Sequence, residues 1–236
     1  MKKKILLIAL CLAVVLGAGV GAYLADYYHA SETAVAALRD PTITVETDGS
    51  ATWFLPENPT AGLLFYPGGK VQCQAYAPLL RDCARRGIAC ALVQMPGNLA
   101  VLNPNAASGL TQTHPEISRW YIGGHSLGGA MAASYAAGHS GELEGVILLA
   151  AYSTKDLSQT GLRVLSLYGS EDGVLNRDSY EKNRKNLPQG YEEFVINGGC
   201  HAYFGDYGAQ AGDGTPTITC QEQTEITADY IASFIG

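Results

Sequence analysis

The chain has 236 residues, 47% of them hydrophobic, and its 15 basic and 22 acidic side chains give a net charge of −7. This acidic balance excludes the basic surface with which nucleic-acid-binding proteins neutralise phosphates. The length is sufficient to bury one substantial hydrophobic core, and no charge run or low-complexity linker marks a second domain.

An apolar segment lies near the N-terminus. Three lysines precede residues 5–24, a stretch without a charged side chain. At about 1.5 Å per residue this stretch spans roughly 30 Å, the thickness of a bilayer core, and the preceding lysines favour a cytoplasmic N-terminus. We therefore expect residues 1–30 to hold a membrane anchor, with the rest of the chain outside the cytoplasm at the cell membrane. The alternative is a signal peptide cleaved near Ala22, which would release a secreted protein.

From residue 40 onward, short apolar runs alternate with helical stretches, and we expect one domain over residues 40–236. An antiparallel pair of strands is predicted at 43–47 and 51–55, around an Asp-Gly-Ser turn. Continuous apolar strands, typical of a parallel sheet covered on both faces, follow at 63–66, 88–95, 120–123, 146–151, 164–168 and 194–196. Helices are predicted at 76–86, 127–137, 177–186 and 221–234. This alternation predicts a three-layer α/β fold with a mostly parallel sheet, and its strand–helix units are too few for an eightfold barrel.

A Gly-x-Ser-x-Gly sequence, Gly124 to Gly128, stands where an apolar strand gives way to an Ala-rich helix. This is the sequence form of a nucleophile elbow, in which Ser126 projects its Oγ from a sharp turn. A side chain at either glycine would collide with neighbouring atoms in such a turn. The pattern is weak alone, but its position between strand and helix favours a nucleophilic serine.

A serine hydroxyl needs a base and an orienting carboxylate to act as a nucleophile at neutral pH. Of the five histidines, His201 follows a late strand in a Gly-rich loop, and ligands of open α/β sheets bind at such strand ends. Asp172 follows the preceding strand and is the favoured carboxylate; its neighbour Glu171 is a rival, and Asp178 is an alternative on the next helix. The order Ser126, Asp172, His201 is that of the α/β-hydrolases.

A tetrahedral oxyanion requires two preorganised donors. One is expected from the backbone N–H of Leu127, directly after the serine at a helix N-terminus. The other is expected from the Gly-Gly loop that follows the strand at 63–66, where the backbone N–H of Gly69 or of Lys70 is the candidate.

The chain also resembles a known family, the α/β-hydrolase fold-5 family, which is close to the dienelactone-hydrolase-like enzymes. The resemblance covers about residues 50–235, and it implies a compact α/β-hydrolase with Ser126, Asp172 and His201 as its triad. Dienelactone hydrolases proper use a cysteine nucleophile, in whose place Ser126 stands here. The segments that carry the resemblance are Phe65-Tyr66-Pro67-Gly68-Gly69-Lys70-Val71, Tyr76-Ala77-Pro78-Leu79, Gly124-His125-Ser126-Leu127-Gly128-Gly129 and His201-Ala202-Tyr203-Phe204-Gly205-Asp206-Tyr207-Gly208.

The connection between the strands at 146–151 and 164–168 is too short for the helical cap domain of many lipases. We therefore expect an uncapped, shallow site suited to small or soluble esters. Residues 94–115 are a candidate for one wall of the pocket. The aromatic residues Tyr203, Phe204 and Tyr207 are candidates for another wall, with loop packing as the alternative.

Neither a cofactor nor a metal is expected. Asp206 and Asp213 lack the Asp-x-Asp spacing of calcium loops, and the five cysteines beyond the apolar segment lack the paired spacing of zinc sites. In an oxidising compartment, Cys200 with Cys220 is the favoured disulfide, with unpaired buried thiols as the alternative.

The sequence therefore predicts a serine hydrolase that cleaves a carboxylic ester of a small-molecule substrate through an acyl-enzyme. Amide, thioester and lactone substrates are variants of the same mechanism. The alternative from a different class is a non-catalytic, exported ligand-binding module on the same fold.

Overall fold

The computed structural model describes residues 14, 15, 17, 19, 21, 23, 25–49 and 51–236. The expected membrane segment at residues 5–24 lies largely outside them. Among the residues that are described, no helix combines the length and the apolar character needed to cross a membrane.

A single eight-stranded sheet forms the centre of the molecule, in the order β1-β2-β4-β3-β5-β6-β7-β8. The first two strands pair antiparallel, β2 also runs antiparallel to β4, and the remaining neighbours are parallel. This is the predicted sheet, with the antiparallel pair at its N-terminal edge. The strands are β1 (Thr44–Asp48), β2 (Ala51–Leu55), β3 (Ala61–Tyr66), β4 (Ile88–Val93), β5 (Trp120–His125), β6 (Gly145–Leu149), β7 (Arg163–Gly169) and β8 (Glu192–Ile196).

Helices cover both faces of the sheet, which makes the fold three-layered. They are α1 (Glu32–Ala37), α2 (Ala77–Ala84), α3 (Leu127–Gly138), α4 (Arg177–Asn183) and α5 (Cys220–Ile235). In β3, Leu63 and Phe65 join the core under α2 and α5, whereas Leu64 and Tyr66 join the core under α3. Every residue of β3 is buried, so its continuous apolar sequence reflects a strand packed on both sides.

The connections at the carboxyl ends of the strands set the shape of the site. Residues 150–162, all of them described, join β6 to β7 without a helix, so no cap domain is present there, as predicted. Residues 94–119 join β4 to β5 through short 3₁₀ turns. The Tyr66 hydroxyl donates to Pro104 O and accepts from Ala107 N–H, each at 2.9 Å, which ties this long connection to the end of β3.

The segment before α1 packs against the domain. Tyr28 forms an isolated parallel β-bridge with Val71, in which Tyr28 N–H donates to Lys70 O at 2.7 Å and Gln72 N–H donates to Tyr28 O at 2.9 Å. The Ser31 side chain then caps α1. The loop that follows β3 is thus held from outside by residues that precede the sheet.

The five cysteines within the described residues are free thiols, and four of them are buried. The expected bond between Cys200 and Cys220 is therefore wrong for this structure. Cys220 Sγ lies 3.5 Å from Gly205 O, whereas Cys200 is buried, and burial raises the pKa of its thiol.

Candidate active site

Ser126 stands at the turn between β5 and α3 with φ 52° and ψ −122°, a region that costs a non-glycine residue about 1–3 kcal/mol. Its N–H donates to Leu149 O at 2.9 Å. A Cβ at Gly128 would lie 2.2 Å from Pro67 O, and one at Gly124 would lie 2.7 Å from Tyr66 O. Backbone atoms at the end of β3 and at the start of the next loop therefore leave no room for a side chain at either glycine, and the turn has the sharpness that the sequence pattern predicts.

The structure brings His201 and Asp172 together. His201 Nδ1 lies 2.9 Å from Asp172 Oδ2, and both side chains are buried. The other carboxylate oxygen accepts from the N–H groups of Val174, at 2.9 Å, and Leu175, at 2.8 Å. Because an ionised carboxylate only accepts, Nδ1 carries the proton and Nε2 is left as the basic nitrogen.

The two rival carboxylates have other surroundings. Glu171 is exposed and accepts from the Ser170 hydroxyl at 2.9 Å. Asp178 lies in the first turn of α4, where a negative charge interacts favourably with the helix dipole. Of the three acids named from the sequence, Asp172 is the one that contacts the imidazole.

A further acid, Asp213, holds the loops that carry His201 and Asp172. Its Oδ1 accepts from His201 N–H at 3.2 Å and Gly173 N–H at 3.1 Å, and its Oδ2 accepts from Ala202 N–H at 2.8 Å. Burial raises the pKa of this carboxyl, but these three backbone donors outweigh it and the net pKa is lowered. Sequence reasoning weighed Asp213 only as a calcium ligand and missed this role, since no local pattern marks an acid that bonds to distant loops.

Within the described residues, no group of three or more acidic, histidine or cysteine side chains is placed to hold a metal ion.

In the loop after β3, residues 67–72, one backbone N–H has no partner among the described residues. Gly68 N–H donates to the Tyr76 hydroxyl at 2.9 Å, and Lys70 N–H donates to Asn98 O at 2.8 Å. Lys70 therefore cannot serve as an oxyanion donor, because its N–H already has a partner. Between them, Gly69 N–H has no hydrogen-bond acceptor in the described part of the chain.

The second predicted donor lies at the start of α3, beside this loop. Leu127 is the first residue of α3, and its N–H has no acceptor among the described residues. A Cβ built on Gly69 would lie 2.9 Å from Leu127 Cδ2, so the loop and the helix start are in contact. Gly69 and Leu127 thus stand on two segments in contact, and neither N–H has a partner among the described residues, which leaves both free to act as oxyanion donors.

A cavity of about 400 Å³ opens beside Ser126 and His201. Apolar side chains make up most of its wall, and His201 is the only titratable nitrogen or carboxyl group among the described residues that line it. The remaining lining residues are Leu127, Ala130, Met131, Ala150, Ala151, Tyr152, Thr154, Val174, Leu175 and Asn176. Ser126 and His201 share this wall, although no hydrogen bond joins the serine hydroxyl to the imidazole in the described structure. Catalytic hydrogen bonds are often long without substrate and shorten when it binds.

The residues considered as pocket walls do not line this cavity, and for the aromatic ones the alternative was packing. Tyr203, Phe204 and Tyr207 do not line this cavity. Phe204 and Tyr207 are buried in the core, where the Tyr207 ring packs 5.4 Å from the Tyr28 ring, and Tyr203 lines a different depression. The 94–115 connection does not line the cavity either, because Tyr66 holds it elsewhere.

The missed lining residues come from three places: the first turns of α3, the stretch after β6, and the stretch after Asp172. Their common signal is position, since each follows a residue at the carboxyl end of a parallel strand. Ala150, directly after β6, even has a left-handed φ of 47°, which only the folded structure reveals.

Comparisons with known proteins identify the fold. The solved structures that superimpose on this chain include a dienelactone hydrolase from Anabaena variabilis, with TM-score 0.62 and 13% identity over 83% of this chain and 100% of that one. A predicted CIB-like hydrolase from Thermoplasma acidophilum gives TM-score 0.60 and 13% identity over 81% and 99%. The esterase domain of a Rhodothermus marinus protein gives TM-score 0.59 and 13% identity over 82% and 99%.

No curated protein matches the chain significantly in sequence. A family model, described as the alpha/beta hydrolase family, matches residues 62–225. This range begins within β3 and ends within α5, so it contains Ser126, Asp172 and His201. The sheet order, the elbow and this match agree with the resemblance seen in the sequence: the chain belongs to the alpha/beta hydrolase family.

Proposed function

We propose that this protein is a serine hydrolase that cleaves a carboxylic ester of a small, neutral substrate through an acyl-enzyme. One observation carries the proposal. The buried, hydrogen-bonded pair of His201 and Asp172 lies beside the same cavity as Ser126, whose strained turn is close to two backbone N–H groups without an acceptor among the described residues.

Each group has a place in the reaction. Ser126 Oγ attacks the carbonyl carbon while His201 Nε2 accepts the hydroxyl proton, and Asp172 stabilises the imidazolium that forms. The negative charge that develops on the carbonyl oxygen is held by the N–H groups of Gly69 and Leu127. His201 then donates its proton to the leaving alcohol, and a water molecule repeats the sequence on the acyl-enzyme.

The lining and the volume of the cavity favour a substrate with a small, neutral acyl group. Its wall is mostly apolar and contains no carboxylate or ammonium group among the described residues, so a charged acyl group would lose hydration without gaining a partner. A volume of about 400 Å³ is near the lower end of ligand sites. The short β6–β7 connection leaves the leaving group in contact with solvent.

The test compares the wild type with Ser126→Ala on p-nitrophenyl acetate, together with labelling by a fluorophosphonate probe. We expect the substitution to lower kcat/KM by at least about 10³-fold and to abolish labelling. Ser153→Ala is the matched control, because Ser153 is also buried and donates its hydroxyl to Lys155 O at 2.7 Å. A folded wild type that neither turns over the ester nor reacts with the probe would contradict catalysis and favour a ligand-binding module.

A further inference from the structure

A buried pair of side chains, Tyr76 and His125, lies between the loop after β3 (residues 67–72, here called the oxyanion loop) and His201, the proposed catalytic base. The Tyr76 hydroxyl lies 2.9 Å from Gly68 N and 2.8 Å from His125 Nδ1. The His125 ring in turn lies 4.5 Å, centroid to centroid, from the His201 ring. Tyr76 and His125 are both almost fully buried, and none of the steps assigned above uses either side chain.

The protons in this pair can be assigned from its partners. Gly68 N–H can only donate, so the Tyr76 oxygen accepts from it and its own proton is free to go to His125 Nδ1. His125 is then the neutral tautomer with its proton on Nε2, an atom that is buried and has no hydrogen-bond partner among the described residues. Burial, followed by the nearby His201, holds the pKa of His125 well below its usual value. Burial also raises the pKa of Tyr76, so both groups stay neutral.

The hydrogen bond from Gly68 N–H to the Tyr76 hydroxyl also restricts the neighbouring Gly69 N–H, the proposed oxyanion donor of this loop. Gly69 N–H lies between two backbone N–H groups with fixed partners, Gly68 with Tyr76 and Lys70 with Asn98. A Cβ at Gly68 would lie 2.6 Å from the Tyr76 hydroxyl oxygen and 2.8 Å from His125 Nδ1, so this loop lies directly against the pair. The peptide that presents Gly69 N–H has its carbonyl, Gly68 O, in a long hydrogen bond from Val71 N–H at 3.4 Å, and the Tyr76 hydroxyl fixes the peptide directly before it.

We propose that Tyr76, with His125 as the acceptor of its proton, is a positioning residue that fixes Gly69 N–H toward the oxyanion and couples that loop to the His201 side of the site. The inference rests on the proposed function for its kinetic part. It adds a side chain from the start of α2, remote from the serine in sequence, to the residues on which transition-state stabilisation depends.

The main test is Tyr76→Phe, which keeps the ring and removes the hydroxyl. We expect kcat on p-nitrophenyl acetate to fall about tenfold with KM changed less than about twofold, because the affected donor acts mainly in the transition state. Affinity for phenylboronic acid, which forms a tetrahedral adduct on the serine, should fall by the same factor. Amide hydrogen exchange at Gly68 should accelerate, and this readout needs no catalysis.

Tyr180→Phe is the matched control, because Tyr180 is also buried and its hydroxyl also bonds to two groups, Ser166 and Glu193, on strands β7 and β8. It should lower stability without changing kcat or boronate affinity. The pair His125→Asn and His125→Leu gives a second test: asparagine can accept the Tyr76 proton and should retain most of kcat, whereas leucine should reproduce Tyr76→Phe.

Unchanged kcat and boronate affinity in Tyr76→Phe would overturn the inference. If that variant does not fold, equal kcat values for His125→Asn and His125→Leu would overturn it instead. A wild type without esterase activity, but with faster Gly68 exchange in Tyr76→Phe, would contradict the proposed reaction and leave the positioning contact standing.

Discussion

At the scale of single residues, the site depends on positions that have no side chain. Gly128 shows this most clearly, because a Cβ there would overlap two carbonyl oxygens: it would lie 2.2 Å from Pro67 O and 2.3 Å from Tyr66 O. Both are backbone atoms at the start of the loop that carries Gly69. This loop cannot retreat without losing the bonds of Gly68 and Lys70, so the clash cannot be relieved locally.

We therefore expect Gly128→Ala to lower the free energy of unfolding by at least about 2 kcal/mol, measured by urea denaturation. The control lies in the same helix: nothing is found within 4 Å of a Cβ at Gly138, and Gly138→Ala should raise stability by about 0.5–1 kcal/mol through helix propensity. Similar effects of the two substitutions would contradict the close approach of α3 to this loop.

At the scale of elements, the connections after β7 and β8 act together through Asp213. Replacing it by Asn removes the charge and one acceptor oxygen, so at least one of the bonds from Gly173, His201 and Ala202 is lost. We expect Asp213→Asn to lower unfolding free energy by about 1–3 kcal/mol and to lower kcat severalfold, because the His201 loop is no longer fixed against Asp172.

Urea denaturation and p-nitrophenyl acetate kinetics measure both effects. Asp206→Asn is the control, since Asp206 lies earlier in the same connection and its carboxylate has no hydrogen bond among the described residues. If the two substitutions behave alike, Asp213 does not hold the loops together.

The elements also show what a sequence can predict. The strands and the elbow could be predicted because their signals are local: a continuous apolar run for a buried strand, and two glycines where backbone atoms approach. The partner of Lys70 N–H is Asn98, beyond β4, and the partner of His125 is Tyr76, before α2. No local pattern encodes such distant pairs, which is why Lys70 N–H is a candidate donor in the sequence and the Tyr76 hydroxyl has no role there.

The two alternatives for the aromatic residues after His201, pocket wall and packing, stayed open for a related reason. An aromatic side chain near a catalytic histidine can face the substrate or the core, and its sequence is the same in both cases. Here Tyr28, from a segment that precedes the sheet, packs against Tyr207. Helix α1 was also absent from the prediction, since so short a helix gives too little periodic pattern to recognise.

At the scale of the whole molecule, the segment around Tyr28 joins the N-terminal part of the chain to the site. It bonds to Lys70 and Gln72 after β3, and the Tyr28 hydroxyl accepts from Ala211 N–H at 3.2 Å in the loop after His201. Cleavage near Ala22, the alternative fate considered for the apolar segment, would leave these contacts intact.

The stability of the whole molecule should depend on pH through His125. Burial, and then the neighbouring His201, hold its pKa in the folded protein well below the usual 6.5. Below about pH 6.5 the unfolded chain binds a proton on this histidine and the folded chain does not, so the free energy of unfolding falls with falling pH. The loss should reach up to about 2 kcal/mol between pH 7 and pH 5, measured by urea denaturation at each pH.

The control is His125→Asn, which removes the titrating group and should flatten this dependence of unfolding free energy on pH. Equal slopes in the wild type and the variant would show that His125 binds its proton equally well in the folded and unfolded chains, against its buried position between Tyr76 and His201.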